Sequence, residues 1–118
     1  MDTRTKILTA KTAPHGCTVV TGTFDVLQAE DARELGGIRS NHEQRPLLVV
    51  VLPLSNPLLP QRARAELVAA LRMVDYVVTA DDDALLASLE AAQLVRLEEV
   101  HAARKRQLME HVHRRQTS

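Results

Sequence analysis

Aromatic side chains are nearly missing from this chain: they make up 2 % of it, Phe24 and Tyr76, with no tryptophan. The core must therefore be built from Leu, Val and Ala, and the stacking platforms on which single-stranded nucleic acids are held are not there. Cysteine occurs once, at Cys17. That excludes an intramolecular disulfide and any multi-cysteine zinc site, and it suits a reducing compartment. Net charge is missing too, because Lys+Arg and Asp+Glu both number 15. No global basic field exists to draw in DNA, RNA or an acidic membrane. No run approaches the ~20 apolar residues of a membrane-spanning helix. The start, Met1-Asp2-Thr3-Arg4-Thr5-Lys6, lacks the apolar stretch of a signal peptide. A soluble, cytoplasmic protein is the expectation.

What is present fits one globular domain over residues 1–118, with a core at about 15–92 and a C-terminal helix at about 98–115. Residues 17–22 form a β-branched run ending in Gly22 and read as a strand. Val26, Leu27, Ala29, Ala32 and Leu35 follow at helical spacing, and Gly36-Gly37 has the look of a C-cap before a polar loop at 38–45. Residues 47–52 are apolar on both faces, as a parallel strand covered by helices must be. Pro53, Pro57 and Pro60 then punctuate a loop. A helix from Gln61 places Leu67, Ala70, Leu71 and Val74 on one stripe. Strands at 75–79 and, less distinctly, 93–97 flank a helix expected from Ala84 to about Ala92. Alternating strands and helices predict a three-layer α/β/α sandwich with a small, mostly parallel, Rossmann-like sheet.

Charge is unevenly spread. Residues 81–99 hold Asp81, Asp82, Asp83, Glu90, Glu98 and Glu99 against Arg96 alone, whereas 104–115 hold five basic residues against Glu110. Such polarity suits a symmetric dimer or a helix with cations at its C-terminal end. The last helix carries a thin stripe of Leu97, Val100, Leu108 and Val112, which covers either its own sheet or a second chain.

The segment Val19-Val20-Thr21-Gly22-Thr23-Phe24-Asp25-Val26-Leu27 resembles the opening of the cytidylyltransferase-like family of nucleotidyltransferases, with its strand and Gly-x-Phe-Asp turn. Arg64 and the helix that leads into Val74-Asp75-Tyr76-Val77-Val78 make a second match in the expected order, so the likeness covers about residues 17–80. The resemblance implies transfer of a nucleotide from CTP or ATP, with Mg2+, to a phosphorylated small molecule. It also implies nucleotide contacts at Gly22, Thr23, Phe24, Asp25 and Arg64. From the family pattern the strands at 46–52, 17–22, 75–79 and 93–97 are expected side by side in that order. Gly22 is the position at which a backbone can approach a phosphate, and the helix after it points its amides at an anion.

Where the family has His-x-Gly-His, this chain has Gln28-Ala29-Glu30-Asp31. Both imidazoles are replaced, by Gln28 and Asp31, and Glu30 stands in the place of the small glycine. Residues 38–60 contain no lysine to meet an acceptor phosphate. Each missing acid/base or oriented donor costs roughly 10²–10⁴ in rate. Glu30 and Asp31 instead favour the helix dipole by about 0.3–1 kcal/mol each and act as a cap in the ligand's stead. No catalytic residue and no resident metal are assigned, although a divalent ion bridging these carboxylates to a triphosphate would restore binding.

The remaining residues each have an ordinary reading beside the functional one. Asp25 suits a helix N-cap or a ribose, acceptor or metal contact. Phe24 reads as core, and Arg64 as a phosphate ligand or an exposed helix arginine. Asp81-Asp82-Asp83 reads as a cap and first turn more readily than as a cation site. His101, His111 and His113 read as a solvated helix, and Cys17 as a buried small residue for which His15 offers no complete catalytic set. Three functions follow: a degenerate nucleotidyltransferase-like protein with residual nucleotide or phosphate binding and self-association, an active metal-dependent cytidylyl- or adenylyltransferase, and a structural interaction module.

Overall fold

The computed structural model describes residues 3–25, 27–81 and 85–117, and for 3–4 and 113–117 the backbone only. Five strands form one sheet: β1 (Ile7–Leu8), β2 (Thr18–Gly22), β3 (Leu47–Val51), β4 (Tyr76–Thr79) and β5 (Gln93–Arg96). The helices are α1 (Ala29–Asn41), α2 (Gln61–Ala69), the four-residue α3 (Leu85–Ser88) and α4 (Glu98–Thr117). Every strand pair is parallel, in the order β1-β4-β3-β2-β5. The α/β class and the Rossmann-like layered architecture are as the alternating pattern predicts.

The strand order differs from the one the family pattern implies. β3 lies between β2 and β4, and β5 lies on the other side of β2, so 75–79 does not neighbour 17–22. β3 is fully buried along its five residues, and only a strand with neighbours on both sides can bury a continuous Leu-Leu-Val-Val-Val run. β1, only two residues long, carries no periodic signal and escapes sequence reading.

Alternation along the strands divides the core in two. Val20, Val49, Val51 and Val77 face α1 and α2, packing on Leu35, Ala65, Val68 and Ala69. Val19, Leu48, Val50 and Val78 face the other way, onto Ala13, Cys17 and Leu89. Three expectations about helices are corrected. α1 does not stop at Gly36-Gly37 but runs on to Asn41. Leu35 and Ile38, three residues apart, both reach the sheet, and that burial exceeds the roughly 1 kcal/mol each glycine costs. α2 buries Arg64, Ala65, Val68 and Ala69, leaving Leu67 exposed and ending before Leu71. The helix expected to Ala92 is the single turn α3, since Glu90 takes a left-handed φ of 47° that breaks it. Val26, Asp82, Asp83 and Ala84, which carried parts of that reading, lie outside the described residues.

α4 crosses the carboxyl ends of β2 and β5. Its first turns meet the body, and from Arg106 to Val112 every residue is exposed. Twenty residues of helix span about 30 Å, in a molecule whose extents are 50 × 28 × 27 Å.

Candidate functional site

Parallel sheets of this kind bind ligands at the carboxyl ends of their strands. Here that end is formed by Gly22, Thr23, Phe24 and Asp25 after β2, by the loop 53–60 after β3, and by α4 above them. Phe24 has φ 48°, unusual for a residue with a side chain. The Thr23 and Phe24 N–H groups converge on one acceptor, His101 Nδ1, at 3.2 and 3.4 Å. Two neighbouring amides aimed at one point make a small anion-binding concavity. In this molecule it is filled by an imidazole lone pair.

His101, read from sequence as solvated, is instead one of the buried polar residues. Its ring lies edge-on to Phe24, centroids 4.4 Å apart, and rests over Gly22. A Cβ at Gly22 would sit 2.5 Å from His101 Cε1 and 2.7 Å from Phe24 Cε2. The glycine is thus required by the approach of a side chain from the chain's own last helix. Because Nδ1 accepts from two amides, the ring proton is on Nε2. Nε2 faces Asp31 Oδ1 at 3.2 Å.

Arg104, one turn further along α4, meets the same carboxylate. Its guanidinium lies 2.6 Å from the same Asp31 oxygen, 2.8 Å from Glu34 and 3.3 Å from Glu30. Burial alone would lower its pKa, but these three carboxylates together raise it. Asp31 Oδ2 meanwhile accepts from the Gln28 N–H at 2.8 Å, the carboxylate bond expected where Gln28 is the N-cap of α1. Burial raises the Asp31 carboxyl, yet His101, the Gln28 amide and Arg104 outweigh it and hold the group below the usual aspartate range.

Asp25 is not the helix cap. Its two oxygens accept from the Leu58 and Leu59 amides, at 2.8 and 2.9 Å, and Lys105 pairs with it from α4. Burial pushes this carboxyl up, but the amides and the ammonium together keep it below its ordinary value. Arg64 is neither exposed nor facing the opening. It is 1 % exposed and donates to the carbonyls of Thr23 (2.7 Å), Leu52 (3.0 Å) and Leu59 (3.1 Å), tying the loop after β2 to both ends of the loop after β3. Gln61 joins β3 to β4 in the same manner, through Val51 and Ala80 carbonyls. Glu98 accepts from Thr21 Oγ1 at 2.6 Å and anchors the start of α4.

The turn, α1 and α4 enclose a cavity of about 20 Å³ beside His101, Arg104 and Lys105, room for about one water. Across Lys105 lies a more open, largely apolar groove of about 360 Å³ between Leu54, Ala102, Arg106 and Met109. Donor atoms of Asp31, Glu34 and His101 lie within 4.8 Å of one another, the one such group among the described residues. The sequence-predicted residues Gly22, Thr23, Phe24, Asp25, Gln28 and Asp31 are thus brought together. Glu30 reaches the rim, and Arg64 lies beneath it. His101, Arg104, Lys105 and Gln61 were missed. The available signal was the spacing 101, 104, 105, which puts one imidazole and two cations on a single helix face.

Cys17 is buried under the sheet, its thiol raised by desolvation and by Asp75. His15 pairs with Glu90 instead. No helix among the described residues is long and apolar enough to cross a membrane. Compared with known protein families and with curated proteins, the chain matches none.

Proposed function

We propose that this chain is a degenerate nucleotidyltransferase-like protein, a scaffold whose phosphate-facing turn is filled from within and which serves in binding and self-association, not catalysis. The observation that carries the reading is the occupancy of the Thr23 and Phe24 amides by His101, with about 20 Å³ left beside them. Nucleotide pockets are commonly roughly 300–1,000 Å³. Charge points the same way. Asp25 and Asp31 line the cavity and engage Lys105 and Arg104 in ion pairs, so the two cations at the turn are held by the chain's own carboxylates and not offered to a triphosphate. Residual phosphate affinity belongs to the groove beside Lys105 and Arg106, and self-association to the free half of α4, where Leu108, Met109 and Val112 are exposed.

The test is pyrophosphate release from CTP and from ATP with Mg2+, over a panel of sugar and polyol phosphates, together with calorimetric titration of each nucleotide. The expected result is no turnover and no saturable binding at the turn. Turnover that Asp31→Asn abolishes in a still-folded protein would establish the active-transferase reading instead. Sedimentation of the full chain over a hundredfold concentration range tests the second half of the proposal, and a strictly monomeric mass would refute it.

A further inference from the structure

α4 is held to the body by one face. Leu97, just before it, and His101 are buried there, and Arg104 and Lys105 reach Asp31 and Asp25 one turn further on. Leu108 and Val112 continue the same row, at i+7 and i+11 from His101. The body has ended by then, and both side chains are exposed together with Met109. Residues 106–117 run on as helix for about 18 Å. Helix held only by its own hydrogen bonds is marginal in water. Beside the row lies the apolar groove of about 360 Å³, lined among others by Leu54, Ala102, Lys105 and Met109.

A two-fold interface is isologous, so its surface must complement itself. α4 carries both halves of such a surface, since Val112 on the row and the small Ala102 in the groove are ten positions apart on one helix. Reversing the helix about Gln107 brings Val112 of one copy level with Ala102 of the other, and Met109 level with Lys105. Charge agrees with the same register. α4 opens with Glu98-Glu99, and its sequence closes with Arg114-Arg115 before Gln116 and Thr117. Reversal sets Glu99 level with Arg115, whereas a parallel alignment sets like charge beside like. We propose that the groove is occupied by the free half of α4 from a second copy, in an antiparallel, two-fold helix pair centred near Gln107. This rests on the self-association reading above and names the surface through which it runs. One helix pair lies at the small end of protein interfaces, so the association expected is weak and concentration-dependent.

Sedimentation of the full chain measures the dimer, and Val112→Asp tests the surface. Val112 is exposed in the single chain, so in dilute solution the variant is expected to melt as the unaltered chain does. Its dimer should be about a hundredfold weaker or more, as when an unpaired charge is buried. Direction is read by double electron–electron resonance between nitroxides on Gln107→Cys and, separately, on Val100→Cys, with Cys17 buried and out of reach of the label. Antiparallel pairing sets the Val100 labels about 21 Å apart along the helix axes and the Gln107 labels level with each other. A dimer that Val112→Asp leaves intact, or equal spacing at the two sites, overturns the antiparallel pair while the self-association reading stands. A chain that stays monomeric at every concentration overturns both.

Discussion

At Gly22 a single hydrogen in place of a side chain decides whether the last helix can seat. Gly22→Ala drives a Cβ into the His101 and Phe24 rings, both held by surrounding structure. The expected cost is about 1–3 kcal/mol, as for other overpacked sites. Thermal melts check the magnitude, and faster amide exchange in α4 than in β3 checks the cause. Arg64 presents the opposite case, a cation that looks functional and acts as a fastener. Arg64→Leu leaves the Thr23, Leu52 and Leu59 carbonyls without their donor, and a loss of about 2–4 kcal/mol is expected, a few unpaired buried groups at 1–3 kcal/mol each with partial relief from water. Urea denaturation of that variant measures it. A loss below about 0.5 kcal/mol, the size of an ordinary surface change, would mean that Arg64 ties nothing down.

At the scale of elements, β3 and α4 stand at opposite ends of a stability range. β3 is buried on both faces and flanked by strands. α4 seats through Glu98, His101, Arg104 and Lys105, while Val100, Leu108, Met109 and Val112 face outward. Leu48→Ala should therefore cost about 2–5 kcal/mol. Leu108→Ala should fall within about 0.5 kcal/mol of the parent in dilute solution, as exposed positions do. Paired chemical-denaturation curves give both values, and a large effect at Leu108 would show that α4 is covered by a second chain under those conditions. The contrast explains why the elements differed in legibility. A strand buried on both sides must be apolar throughout, so its letters declare it. An element held by ion pairs looks like any solvated helix, because charged residues read alike whether they meet water or carboxylates.

Over the whole molecule, the carboxylates that join α4 and the 53–60 loop to the sheet make stability depend on pH. Asp25 and Glu98 both have folded-state pKa values below their ordinary 3.8 and 4.5. For Glu98, burial opposes the shift and the Thr21 hydroxyl, its own amide and Arg96 outweigh it. Below the ordinary values the unfolded chain takes up protons that the folded chain refuses, so stability falls as pH falls. The contribution is complete above about pH 5 and is lost progressively as the pH drops through 4.5 toward the depressed values. Denaturation midpoints at pH 7, 5, 4 and 3 should trace this decline, and Asp25→Asn should flatten it while lowering stability at pH 7. A profile level from pH 5 to 3 would contradict the assignment.

The sequence by itself determined the layered α/β class, three main strands and the turn at Gly22–Asp25, because period-2 and all-apolar runs, glycine punctuation and helical spacing are local properties of the chain. Only the tertiary structure decided the neighbours of β2, since strand order depends on which crossovers the helices can span and not on any strand's own letters. It alone brought His101 over Gly22, seventy-nine positions away in the chain, turned Arg64 inward onto three carbonyls, and set three carboxylates against one arginine. Contacts between residues so distant leave no periodic trace, and a charge shows its partner only once the chain has folded around it.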